Sequence, residues 1–240
     1  MTRTAVLIDG NFFLKRARRL WGDTSPEKRA SECHAYALRH ISAKRKMTLE
    51  YGDRSLYRIF FYNCPPLENG TFKQPWDEHS TVFSRKHPSN VWMSDFHAAL
   101  GEKRKVAMRM GELRSANAHY NLKQESLKKL LKGELTTTDL GQEDFTLVGL
   151  KQSGVDMRIG LDVASLAHGR TVDQIVLIAG DTDFIPVAKT ARRAGLDFLI
   201  DPMGHHLPSE LILQSDGIED ISNEFDPAKE IGRASCRERV

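Results

Sequence analysis

Gln174-Ile175-Val176-Leu177-Ile178-Ala179-Gly180-Asp181-Thr182-Asp183 is the stretch that decides the fold. A short continuous apolar run that stops at a Gly/Asp turn reads as a buried parallel strand feeding a helix. Thr4-Ala5-Val6-Leu7-Ile8, closed by Asp9-Gly10-Asn11, repeats the pattern near the amino terminus. In an open α/β sheet, ligands bind just beyond the carboxyl ends of such strands, where the strand order reverses. If these two strands flank that point, Asp9 and Asp181 lie about 5 Å apart in strand spacing. Carboxylates that converge there repel one another and call for protons or a divalent cation.

Outward from these strands, elements alternate as β-α-β. That predicts an α/β fold, with an open, mostly parallel central sheet and helices on both faces. Helices are expected over about residues 12–21 and 27–46, and a second strand over Tyr57–Tyr62. Residues 65–90 are rich in Pro, Gly, Asn and His and read as a long surface loop. Val91–Leu100 reads as a short helix and Val106–Leu113 as a strand, with Phe145–Leu150 a candidate to pair with it. Residues 116–144 between them are polar and basic, with a helix expected over Lys123–Leu131. Val155, Ile159, Val163, Leu166 and Ala167 recur at helical spacing and define a buried stripe. A helix over Phe184–Ala194 ends at Gly195 in the usual C-terminal position, and Leu196–Ile200 is the last expected strand. Ser209–Leu213 reads as a short helix, and no internal repeat is present.

The chain has 240 residues, 40% hydrophobic and 28% charged, enough for one well-buried domain with an insertion. No apolar run approaches the roughly 20 residues that span a membrane. The first strand begins by about the fourth residue and leaves no room for a signal peptide, so a cytoplasmic location is expected. Cys33, Cys64 and Cys236 are scattered and form no zinc or disulfide pattern, which fits a reducing compartment. The net charge of +3 is modest, but residues 101–133 hold nine Lys/Arg against three Glu. Lys15, Arg16, Arg18 and Arg19 form a second basic group. These are solvated helix faces or, beside an acidic crevice, the surface a polyanion would use.

Each candidate site residue has a plain structural role beside its chemical one. Asp9, Asn11, Asp181 and Asp183 all stand where a helix N-cap is wanted. Asp156 lies in the first turn of its helix, where the dipole favours a carboxylate and lowers its pKa. Asp162, six residues on and roughly 120° around the helix, either borders the site or faces solvent. Lys151 neutralises a phosphate oxygen or pairs with an acid. Trp76, Phe83 and Trp92 near the long loop either stack bases or pack the loop onto the body. His205 and His206 are adjacent and point to opposite sides of an extended segment, which argues against a metal role for both.

Taken in order, Ile8-Asp9-Gly10-Asn11, Lys151…Gly154-Val155-Asp156…Asp162 and Ala179-Gly180-Asp181-Thr182-Asp183-Phe184…Pro186 resemble the NYN domain. That LabA-like family belongs to the PIN-like nuclease superfamily, with a Rossmannoid three-layer α/β/α fold. The resemblance spans about residues 1–202; Thr182 replaces the family's usual serine and keeps the hydroxyl. It implies a nuclease domain over 1–202 with a basic insertion at about 114–144, longer than in a compact member. A C-terminal extension over 203–230 follows, and 231–240 reads as a non-native tail. The natural chain could then continue past about residue 230.

The implied activity is Mg²⁺- or Mn²⁺-dependent endoribonuclease cleavage with Asp9, Asp156, Asp181 and Asp183 as catalytic metal ligands. Asn11, Lys151 and Thr182 would contact substrate and Asp162 would stand in reserve. Hard oxygen ligands suit these cations and not zinc. Water as nucleophile gives 5′-phosphate and 3′-hydroxyl ends. The implied partner is RNA, single-stranded ahead of duplex, with DNA admitted because phosphate contacts do not report the sugar. A homo-oligomer is compatible; a membrane is not expected. Two alternatives stay open: a non-catalytic RNA- or protein-binding module, and a phosphatase of the haloacid-dehalogenase type. The second lacks its usual Asp-x-Asp because Asn11 occupies the second position.

Overall fold

The computed structural model describes residues 1–42, 53–67, 69–77 and 80–231. In chain order the elements are β1 (Thr2–Asp9), α1 (Gly10–Trp21), α2 (Pro26–Arg39), β2 (Arg54–Asn63), β3 (Asn69–Lys73), β4 (Ser80–Ser84), α3 (Pro88–Gly101), β5 (Val106–Met110), β6 (Glu112–Arg114), β7 (His119–Leu122), α4 (Gln124–Leu131), β8 (Phe145–Val148), β9 (Lys151–Ser153), α5 (Val155–His168), β10 (Gln174–Ile178), α6 (Ile185–Arg193), β11 (Asp197–Asp201), α7 (Ser209–Gln214) and β12 (Gly217–Ile218).

Six strands form one parallel sheet in the order β12-β11-β10-β1-β2-β5. Its centre is the apolar pair that the sequence singled out. Val6 of β1 faces Val176 of β10, and Ala5 through Ile8 and Ile175 through Ala179 are fully buried. Strand alternation divides them between two cores. Ala5, Leu7, Phe60 and Tyr62 pack with Val155, Ile159 and Val163 of α5 and Val187, Ala188 and Ala191 of α6. Val6, Ile8, Ile59 and Phe61 pack with Phe13 and Ala17 of α1, Ala30, Tyr36 and Ala37 of α2, and Phe96 and Leu100 of α3. The molecule is therefore a three-layer α/β/α sandwich. The buried stripe expected of α5 is present, with Ile159 and Val163 fully buried.

Four local expectations are corrected. Residues 65–90 are not plain loop: β3 and β4 pair there as an antiparallel hairpin. Phe145–Leu150 does not pair with the strand after α3; β8 pairs with β7, and β9 pairs with β6. The sheet also gains a short edge strand, β12, and Ile221 and Phe225 beyond it are buried against α1 and α2. Finally, the basic run is split. Lys103, Arg104 and Lys105 precede β5 at the amino-terminal edge of the sheet, where Lys105 Nζ donates to the Leu56 carbonyl. The lysines at 123, 128, 129 and 132 lie on or beside α4, in the excursion from the carboxyl end of β5. The expected helix extension over 43–46 and the tail over 232–240 lie outside the described residues.

Candidate active site

The chain leaves β1 toward β2 on one side and enters β10 and β11 on the other, so the strand order reverses between β1 and β10. Their carboxyl ends carry Asp9 and the Gly180–Asp183 turn. This is the topological switch point where an open α/β sheet forms a crevice.

Asp9 caps α1, its Oδ1 accepting the backbone N–H groups of Asn11 (3.0 Å) and Phe12 (3.1 Å). Burial pushes the Asp9 carboxyl up to about 6; the Phe12 amide opposes this, and the charge of Asp156 adds to it. Glycine at position 10 is required by close approach: a Cβ would lie 2.6 Å from the Phe61 ring and from the Tyr62 carbonyl oxygen. The first turn of α1 is thereby pressed onto β2 and the capping carboxylate is fixed at the crevice floor.

Asp156 is exposed in the first turn of α5. Its carboxyl is raised above the ordinary range, first by desolvation and then by the charges of Asp183 and Asp181. This carboxyl thus links Asp9 to the other pair. Asp181 caps the turn Thr182–Phe184, with Oδ1 accepting the Asp183 N–H and the Thr182 hydroxyl, both at 3.3 Å. Asp183 and Thr182 are exposed. Among the described residues none of the four acids forms an ion pair, and no three side chains of chelating type stand close enough to hold an ion as placed.

The remaining predicted residues separate. Asn11 is half-buried in the first turn of α1. Asp162 is engaged elsewhere: its Oδ2 accepts from Tyr62 Oη and from Arg109 Nε, both at 2.8 Å. Burial and the adjoining Asp162 charge push the Tyr62 hydroxyl up, so it serves as a neutral donor. Lys151 is exposed on β9, directly opposite Arg114 of β6. Like charges in that relation repel, and an anion laid across them relieves the repulsion.

Of the aromatics, Trp76 packs edge-on to Tyr120 (4.8 Å between centroids) and against Phe145 (5.2 Å), joining the β3–β4 hairpin to the β7–β8 hairpin. Trp92 stacks on Phe96 and donates Nε1–H to the Thr24 carbonyl. The Phe83 side chain lies outside the described residues.

Sequence reasoning missed two groupings. Phe12 and His205 meet edge-to-face over Gly180, with centroids 6.0 Å apart. A second set of acids lies under α2. Asp201 Oδ2 accepts the Tyr36 hydroxyl at 2.6 Å and sits 2.9 Å from His40 Nε2. His40 Nδ1 is 3.2 Å from Glu219, which also takes a two-pronged Arg54 at 2.9 and 3.0 Å. These partners are more than 160 residues apart in places, and no local pattern announces them.

No curated protein matches the chain. One solved structure, of a protein of unknown function from Vibrio parahaemolyticus, is similar at TM-score 0.46 and 12% identity, over 93% of this chain and 95% of that one. The model of the NYN domain matches residues 76–221, which include Asp156, Asp162, Asp181 and Asp183, while Asp9 and Asn11 precede the match. The chain, with its three-layer parallel sheet and its acids at the switch point, belongs to the NYN domain family, a PIN-like nuclease family.

Proposed function

We propose that this protein is a divalent-metal-dependent endoribonuclease acting on single-stranded RNA, with Asp9, Asp156, Asp181 and Asp183 as the metal-holding set. One observation carries the reading. Four carboxylates share the switch-point crevice without an ion-paired cation among the described residues, and the innermost is pushed up to about 6. Strong perturbation of this kind marks functional sites more often than structural ones. Family membership supports a nucleic acid substrate and hydrolase chemistry in general terms.

The donor set fits Mg²⁺ or Mn²⁺, since every side chain offered is a hard oxygen donor. Asp183 is exposed, while Asp9 and Asp181 each hold a cap through Oδ1. A bound cation would lower the pKa of a water and stabilise the attacking and leaving oxygens of the phosphodiester. The chain's own residues do the placing. Asp9 spends Oδ1 on the α1 amides, so Oδ2 would be the oxygen offered to a cation. Thr182 steadies Asp181 through its hydroxyl. Asn11 borders the crevice from α1, and Lys151 with Arg114 offers two adjacent cations to flanking phosphates. The nuclease domain would include β1, because that strand is central to the sheet.

The test is cleavage of labelled single-stranded RNA and DNA with Mn²⁺, Mg²⁺ or EDTA, for the wild type, Asp9→Asn and Asp181→Asn. Metal-dependent RNA cleavage lost in both variants is expected. No cleavage with any metal, or variants as active as wild type, refutes the reading; RNA binding without cleavage marks a binding module instead.

A further inference from the structure

The Phe12–His205 pair at Gly180 has no part in the chemistry above, yet it stands one residue from Asp181. A Cβ at position 180 would lie 2.7 Å from Phe12 Cε2 and 3.0 Å from His205 Cδ2, so both rings rest on bare backbone at the crevice edge. Phe12 is half-buried and backed by the core beneath α1, whereas His205 is exposed. Their edge-to-face contact engages one edge and one face, and leaves the other faces uncommitted within the pair.

The turn that presents His205 is held from several directions. Arg16 donates to the Met203 carbonyl through Nε (2.9 Å) and Nη2 (2.6 Å). Gly204 N–H donates to Asp220 at 2.7 Å, and His205 N–H to the Pro202 carbonyl at 2.8 Å. Met203 adopts φ +48° with its side chain fully buried, a left-handed backbone that an unbranched L-residue accepts only when its surroundings enforce it. An exposed ring displayed on a strained and clamped turn beside four acids is a preorganised surface, not a loose loop.

We infer that the exposed His205 ring, braced edge-to-face by Phe12, is an aromatic platform on which one base of a single-stranded nucleic acid stacks, setting the adjoining phosphate over the acids. Single strands suit such a platform because their bases are free to leave the stack, and base-on-aromatic contact tolerates any sequence. The inference rests on the nuclease reading for what the base is positioned to do, but stacking itself is measurable without cleavage.

The experiment compares wild type, His205→Ala and His205→Phe on a fluorescein-labelled single-stranded RNA oligonucleotide. A set of the same oligonucleotide with one abasic site walked along it is run in parallel. His205→Ala is expected to raise KM about tenfold with kcat held within about twofold, the weight of one stacked base. His205→Phe should restore KM, and one abasic position should weaken wild type about tenfold while adding nothing to His205→Ala. Loss of kcat in both variants with KM unchanged would show that the imidazole, not the platform, matters, and overturns the inference. So would unchanged constants in His205→Ala. If the wild type cleaves nothing, the nuclease reading fails on its own. Anisotropy binding of the same oligonucleotides then decides the platform: equal affinity of wild type and His205→Ala overturns it.

Discussion

Two groups of acids in this molecule receive opposite treatment. Under α2, buried Asp201 and half-buried Glu219 have Tyr36, His40 and Arg54 around them, and both ring nitrogens of His40 face a carboxylate. Burial alone would push Glu219 up, yet hydrogen bonds and charge from His40 and Arg54 hold it down at about 2. Burial would lower His40, yet its hydrogen bonds to Asp201 and Glu219 and their charges raise it. At the switch point the charge of Asp156 bears on Asp9, those of Asp181 and Asp183 bear on Asp156, and Asp9 is pushed up to about 6. The first group is internally neutralised and fastens β11 and β12 to α2 and β2. The second has no ion-paired cation among the described residues, and raising Asp9 costs stability wherever it is ionised.

The largest expected effect breaks the contrast at the crevice. Asp9→Asn and Asp181→Asn should each lower metal-dependent cleavage about a hundredfold or more, measured as initial rates on labelled RNA, with circular dichroism unchanged. Asp201→Ala should do the reverse to stability, costing about 3 kcal/mol or more by urea unfolding, because Tyr36, His40 and the Met203 amide all lose a buried acceptor.

The pH dependence separates the groups by sign. Glu219 has its folded pKa depressed, so its stabilisation is complete above the ordinary 4.5 and is lost as pH falls toward 2, worth up to about 3 kcal/mol. Glu219→Gln should remove that acid limb from a plot of unfolding midpoint against pH. His40, raised above 6.5, stabilises fully below that value and loses its contribution as pH rises through the folded pKa. Asp9 is raised, so in metal-free protein its ionisation destabilises the fold as pH climbs from about 4 to about 6. Asp9→Asn keeps the cap and should therefore raise stability by about 1–2 kcal/mol at pH 7.5 with EDTA, a gain that vanishes at pH 4. The smallest effect tests whether Asp162 belongs to either group. Arg109→Gln should cost about 1 kcal/mol, since the pair is partly exposed.

The centre of this architecture is written locally. The apolar runs of β1 and β10 bury nearly every residue, and the α5 stripe repeats every turn, so both are readable one segment at a time. The helix-capping roles of Asp9 and Asp181 were also readable, and the structure shows that capping uses Oδ1 in each. What escaped the sequence depends on distant partners. The strands β3 and β4 are only five residues each and exist by pairing with each other, while β8 chose β7 over the β5–β6 region because the chain between 114 and 151 folds back on itself. Asp162 looked like a fifth acid until Tyr62 and Arg109, remote in sequence, claimed it. His205 carried no periodic signal at all; a turn held by Arg16 and Asp220 brings it to the crevice, and the absent Cβ of Gly180 leaves it room.

The wedge of Trp76 between Tyr120 and Phe145 couples two excursions that leave the sheet from neighbouring strands, β2 and β5. Neither excursion can be trimmed alone without baring indole or phenyl surface, so the pair must be inherited, grafted or deleted as one unit. A swap of both together between relatives would exchange that whole layer while leaving the six-stranded sheet untouched.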